Sequence, residues 1–226
     1  MDNVFETVYD NDLLIPSDLL QGGALANPDK FDEVIVTTSY LPRLQVFGST
    51  SAAVKEDKIR QGSLGIVRTK DDIDELGKSV DCLPLSWRFK AMQIADGEVK
   101  SVYDSESQDF KNIQAWSEEE DSGCMWGAEF LIWIPEYGFV TFFLSSKSAR
   151  REAKPLRGMI GKATTIKVDL IKTKKFSWFA PKVNGCSVPL SSMPDVEKMR
   201  AELEKFNNPK SKEMEKEQPG DSSRER

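Results

Sequence analysis

The sequence predicts a mainly β protein with a minor helical part, and three segments carry that prediction. Residues 83–94 alternate, with Leu85, Trp87, Phe89 and Ala91 on one face and Ser86, Arg88, Lys90 and Met92 on the other. Residues 130–134 and 139–144 are apolar, β-rich runs on either side of Pro135-Glu136-Tyr137-Gly138, the pattern of a hairpin. Residues 164–170 and 176–179 form a second pair of short strands around a basic turn at 172–175.

The elements can be taken in order. Residues 1–38 are rich in Asp and Asn with breakers at Gly22-Gly23 and Asn27-Pro28, so an acidic flexible arm is expected, with Val34-Ile35-Val36 as a first short strand. Residues 41–47 alternate well enough for an edge strand, Pro42 being tolerated near its start. Residues 62–67 read as a turn into a strand, 71–77 as an acidic loop, and 96–123 as a long excursion between strands. Residues 145–160 have helical composition, with Ser145 or Ser146 as N-cap and Pro155 breaking the helix in two. In the strand that follows, Ile166, Val168 and Leu170 should point inward. Ser192-Met193-Pro194-Asp195 opens a C-terminal helix (192–206) whose Val196, Met199, Leu203 and Phe206 share one face. Residues 207–226 are polar and without apolar anchors, which predicts a disordered tail. The domain itself spans residues 39–191.

Charge points to function. The chain carries a net charge of −6, yet residues 142–182 hold eleven Lys or Arg against two acids. Such segregation focuses positive potential on one region while the rest of the molecule stays acidic, and it suggests a polyanionic partner. The basic segment ends in Phe176, Trp178 and Phe179. Single-stranded nucleic acid accepts both residue types, phosphates for the cations and base faces for the rings. Lys172, Lys174, Lys175 and Lys182 are the expected phosphate contacts, with Arg150 and Arg151 on the preceding helix and Phe176 and Trp178 as stacking rings. Arg88 and Lys90, with Arg43 and Gln45 on the edge strand, extend the surface if their strands lie side by side. The competing reading makes Phe176 and Trp178 core residues and the lysines a solvated hairpin tip, although Phe179, on the opposite side of the strand, competes for the inward position.

Composition narrows the alternatives. The chain has no histidine, which removes the commonest general base and every Ser-His or Cys-His nucleophile. Cys82, Cys124 and Cys186 lie far apart without a CxxC spacing, so neither a disulfide framework nor a zinc site is expected. The glycines at 22–23 and 62–65 match neither a P-loop nor a dinucleotide fingerprint. Asp81 with Glu98-Val99-Lys100 imitates a metal-dependent nuclease, but Asp96-Gly97 makes a hairpin turn the plainer reading. The expectation is a binder that is not an enzyme and needs no cofactor. No run reaches the length of a membrane-spanning helix, and Met1-Asp2-Asn3 lacks the basic, then apolar start of a signal peptide, so the cytoplasm is expected.

From residue 127 to 181 the order of features resembles a family. A strand pair ends in Phe142-Phe143-Leu144, a Ser- and Arg-rich helix follows, then Thr165-Ile166-Lys167-Val168-Asp169-Leu170 and Lys174-Lys175-Phe176-Ser177-Trp178-Phe179-Ala180-Pro181. This resembles divergent bacteriophage single-stranded-DNA-binding proteins of the OB-fold type. The likeness, extended to residues 40–190, implies an OB-like, partly open β-barrel with an inserted helix and a C-terminal helix. It also implies non-sequence-specific coating of single-stranded DNA in phage replication or recombination, in the host cytoplasm, with replication proteins as further partners and a homo-oligomer as one form. The acidic C-terminal tail of such proteins has no counterpart in Ser222-Ser223-Arg224-Glu225-Arg226, and the acidic arm would serve in its place. The runner-up is a phage structural or host-interaction protein whose basic segment binds an acidic protein surface.

Overall fold

A computed structural model describes residues 41–95, 98–119, 121–186 and 190–209. The expected arm with its strand at 34–36 lies outside the described residues, as do residues 210–226 of the expected tail; the tail's first residue, Asn207, instead ends the last helix and is buried. The protein is mainly β. Among the described residues, nine strands form one mixed sheet: β1 (Arg43–Val46), β2 (Leu64–Val67), β3 (Ile73–Gly77), β4 (Ser79–Ala95), β5 (Glu98–Val102), β6 (Cys124–Ile134), β7 (Gly138–Leu144), β8 (Thr164–Lys172) and β9 (Ser177–Gly185). Their order is β3-β2-β1-β7-β6-β4-β8-β9, with β5 added to β4. Among the described residues, only the β1–β7 pair is parallel. β1 is therefore an interior strand and not the expected edge.

The 17-residue β4 is the spine of the sheet. Its first residues, Ser79 to Cys82, pair with β8, and Leu83 to Gln93 pair with β6. The register shifts between Pro84 and Ser86, where proline's missing N–H costs no ladder bond. The shift also re-aims the side chains: Leu83 and Leu85 face one side with Ser86 and Arg88, while Cys82 and Trp87 face the other.

That second side is the concave one. Leu44, Ile66, Cys82, Phe130, Ile132, Phe142, Ile166 and Val183, drawn from seven strands, form a single apolar cluster there. The sheet curls until β9 approaches the residue ahead of β2, and a Cβ on Gly62 would stand 2.5 Å from the Phe179 ring. Among the described residues no ladder joins β3 to β9, so the sheet is not closed.

Five helices among the described residues cover it: α1 (Ala52–Lys55), α2 (Gln108–Trp116), α3 (Lys147–Arg150), α4 (Ala153–Arg157) and α5 (Val196–Asn207). Ser146 caps α3 by accepting the Ala149 N–H at 3.2 Å. The helical segment is divided, as expected, but at residues 151–152. Pro155 sits inside the first turn of α4, where an N–H would have no partner anyway. Ala149 and Leu156 of this pair plug the concave core. α5 is capped by Asp195, which accepts the Lys198 N–H at 3.0 Å, and it buries Met199, Leu203 and Phe206 against Leu83, Leu85 and Leu131 on the convex face. Val196, expected on that apolar face, is exposed because it lies in the first turn, ahead of the contact. Among the described residues no helix is long and apolar enough to cross a membrane.

Two stretches differ from expectation. The acidic loop at 71–77 is largely β3, paired with β2 and held by Arg68 on Asp72 and Asp74 at 3.0 and 2.8 Å. The excursion at 96–123 contains β5 and α2, the latter capped by Ser107 and anchored by Phe110 and Ile113. Tertiary pairing overrode acidic composition in the first case, and polar residues around two apolar anchors concealed the helix in the second.

Candidate nucleic-acid interface

The β8–β9 hairpin runs past the core that holds its base. Ile166 and Val183 are buried, but Leu170, expected inward, is 44% exposed because the opposing sheet has ended. Thr173 closes the turn: its N–H donates to the Phe176 carbonyl at 2.8 Å, and its Oγ1 accepts the Phe176 N–H at 3.0 Å. Lys174 and Lys175 form the tip. Phe176 is 73% exposed and Trp178 39% exposed. Trp178 pairs across the hairpin with Ile171, and its Nε1–H donates to Ser148 Oγ of α3 at 3.2 Å. The ring is thereby held in one orientation at the surface.

The free edge of β9 is tied to the helical pair through Glu152, which accepts the Val183 N–H at 3.0 Å and the Lys182 Nζ at 3.2 Å. Lys182 stands directly opposite Lys167, and Glu152 beside Lys182 offsets part of that like-charge repulsion. Among the described residues, no ion pair engages Lys167, Lys172, Lys174, Lys175 or Arg151. Beside the β2–β3 hairpin, Lys58 and Arg60 ahead of β2 and Arg68 at its end have carboxylate partners within 3 Å, while Lys70 at the tip has none among the described residues. Arg151 lies one turn beyond Ser148, on the side of α3 that meets Trp178.

The structure therefore brings Arg151, Trp178 and Lys182 together with Lys167, an outward strand residue that the sequence reading passed over, and sets Lys174, Lys175 and Phe176 at the hairpin tip; Lys172, opposite Ser177, faces the other side of the hairpin, and the exposed Asp169 lies on the side of Trp178. It separates the other four. Arg43 stands on the convex face of β1, opposite Val67 and Thr141. Arg150 turns inward, donating to the Ser145 carbonyl at 2.7 Å and stacking 4.3 Å over Trp126.

Arg88 and Lys90 correct the expectation of a solvent-facing cationic strand. Lys90 is only 8% exposed, and both cations converge on Glu129 of β6, at 2.6 Å from Arg88 and 2.7 Å from Lys90. Arg88 also donates to the Phe206 carbonyl and lies 3.8 Å over the Tyr103 ring. Alternation put Arg88 and Lys90 on one face correctly, but it set Leu85 on the opposite face, which the register shift at Pro84–Ser86 reverses, and it could not show the cover, because α5 comes from far along the chain. Burial alone would push the Glu129 carboxyl up; Arg88 and Lys90 outweigh it and hold the pKa at about 2. Burial would pull Lys90 down, and Glu129 likewise reverses the direction, leaving it above the usual amine value.

No family model, curated protein or solved structure matches the chain.

The nuclease constellation does not assemble. Asp81 accepts the Thr165 hydroxyl at 2.6 Å near the start of β4, whereas Lys100 pairs with Asp109 at 3.3 Å and its strand residue lies opposite Gln93, near the other end. Among the described residues, no group of three or more acidic or cysteine side chains is placed to hold a metal ion.

Proposed function

We propose that the protein binds single-stranded DNA without sequence preference and without chemistry, through the β8–β9 hairpin and the adjoining face of α3. One observation carries this reading. The exposed rings of Phe176 and Trp178 share a hairpin with Lys167, Lys172, Lys174 and Lys175, which have no carboxylate partners among the described residues, and with Lys182, which pairs with Glu152. Stacking contributes about 1–3 kcal/mol per base and tolerates any sequence, while each phosphate contact adds a salt-dependent increment. The curled sheet, with α3 and α4 between β7 and β8, supports the reading as a partly open OB-like barrel. The sequence resemblance suggests a role in phage DNA replication or recombination.

The test is a titration of labelled oligo(dT) by anisotropy, with duplex DNA of the same length as control. Trp178→Ala should weaken oligo(dT) binding about tenfold or more. Lys174→Gln with Lys175→Gln should reduce the slope of log affinity against log salt by about 1.4, two single-strand contacts. Equal affinity for duplex, or a Trp178→Ala protein that binds as wild type, would overturn the stacking mechanism. Absence of binding at low salt would overturn the function and favour an acidic protein partner.

A further inference from the structure

Trp87 and Phe89 stand two residues apart on the concave face of β4, their ring centres 5.1 Å apart in an edge-to-face arrangement. Phe89 touches Phe110 of α2, with 6.4 Å between ring centres, yet remains 38% exposed. A lone exposed phenylalanine needs no explanation. This one has a particular setting. Arg157, itself exposed, lays its guanidinium 3.8 Å over Trp87 from the end of α4.

The helical segment that delivers Arg157 is strongly basic. Residues 147–157 hold five cations and a single acid, Glu152; Lys147, Arg151, Lys154 and Arg157 are exposed, whereas Arg150 turns inward onto Trp126. That acid is occupied by Lys182 and the Val183 N–H. At its start the same segment meets the hairpin, through Ser148 and Trp178. It thus lies between two aromatic sites, with surplus positive charge along its length. The buried centre of a protein–protein interface is depleted in charge, whereas a row of cations joining two sets of rings matches a strand of phosphates and bases.

We infer that the nucleic-acid path continues from the hairpin across α3 and α4 to a second stacking platform at Phe89, with Arg157 as a phosphate or base contact beside it. The inference rests on the proposed single-strand binding. It adds residues that alternation alone assigns to the core.

Labelled oligo(dT) of graded length, from about 4 to 16 nucleotides, separates the two ideas when titrated against the full chain. Phe89→Ala and the apolar, ring-free Phe89→Leu should bind the shortest oligomers as wild type does and the longest about tenfold more weakly. Trp178→Ala should weaken both. Arg157→Gln should lower the salt slope by about 0.7 for long oligomers alone. Thermal melting of each variant controls for folding, and Phe89→Leu keeps the test valid if the alanine variant melts early. Wild-type binding with Phe89 variants indistinguishable at every length would overturn the second platform and leave the hairpin reading intact. A Phe89 effect confined to sedimentation of the protein without DNA would overturn it in favour of a protein interface. No wild-type binding at any length would overturn both.

Discussion

Replacing Glu129 with glutamine removes the one negative charge that two cations share beneath α5. In the folded protein its carboxyl titrates at about 2, against an ordinary value of 4.5. The gap corresponds to about 3 kcal/mol at 1.36 kcal/mol per pH unit, in the range expected for breaking a buried ion pair. Because the folded pKa is depressed, this stability is fully present above pH 4.5 and is lost as the pH falls toward 2. About 2 kcal/mol of it is gone by pH 3. Urea unfolding of wild type and Glu129→Gln at pH 7 and pH 3 provides the measurement. The two proteins should differ by about 3 kcal/mol at pH 7 and by about 1 kcal/mol at pH 3. A difference below about 1 kcal/mol at pH 7, or one that does not change with pH, would refute the argument that Glu129 holds Arg88 and Lys90 as a charged centre.

Two further outcomes test the packing. A Cβ on Gly127 would lie 2.0 Å from the Leu144 carbonyl oxygen, a backbone atom that cannot move aside. Gly127→Ala should therefore cost at least about 2 kcal/mol in urea unfolding, and an unchanged midpoint would count against the β6–β7 geometry. Burial pushes the Cys82 thiol well above its usual pKa, with Asp81 adding to the effect, so it should resist modification. Ellman's reagent should label no more than two of the three cysteines in the native protein, and prompt reaction of all three would contradict the burial of Cys82.

Local pattern made some elements legible. The 130–144 hairpin was readable because Pro135 and Gly138 punctuate two apolar runs, and Glu136 and Gly138 indeed adopt positive φ there. The cap of α3 was readable from Ser146, since a cap is a relation between residues three apart, whereas α5 starts at Val196 with Asp195 itself as its cap, and not at Ser192 with Asp195 as the acid three residues on. The Lys174-Lys175-Phe176 tip was readable for the same reason. What escaped depends on long-range pairing. Arg88 and Lys90 were assigned to solvent because Glu129, Phe206 and Asn207, which cover their face, lie roughly 40 and 120 residues away. Leu170 was assigned to the core because alternation gives the direction of a side chain, not where the opposing sheet stops. Phe89 was assigned to the core for the same reason, and only the placement of α2 and α4 shows its ring half open.

The separation between α5 and its docking site has a temporal consequence. Ser86 and Arg88 reach partners 121 and 118 residues later in the chain. At about 5–20 residues per second, a ribosome needs about 6 to 24 s to make that stretch. Throughout that interval Leu83 and Leu85, joined later by Leu131, form an uncovered greasy surface on the nascent chain. Fast translation or a chaperone at the tunnel exit should therefore raise the yield of soluble protein more than any change to the hairpin.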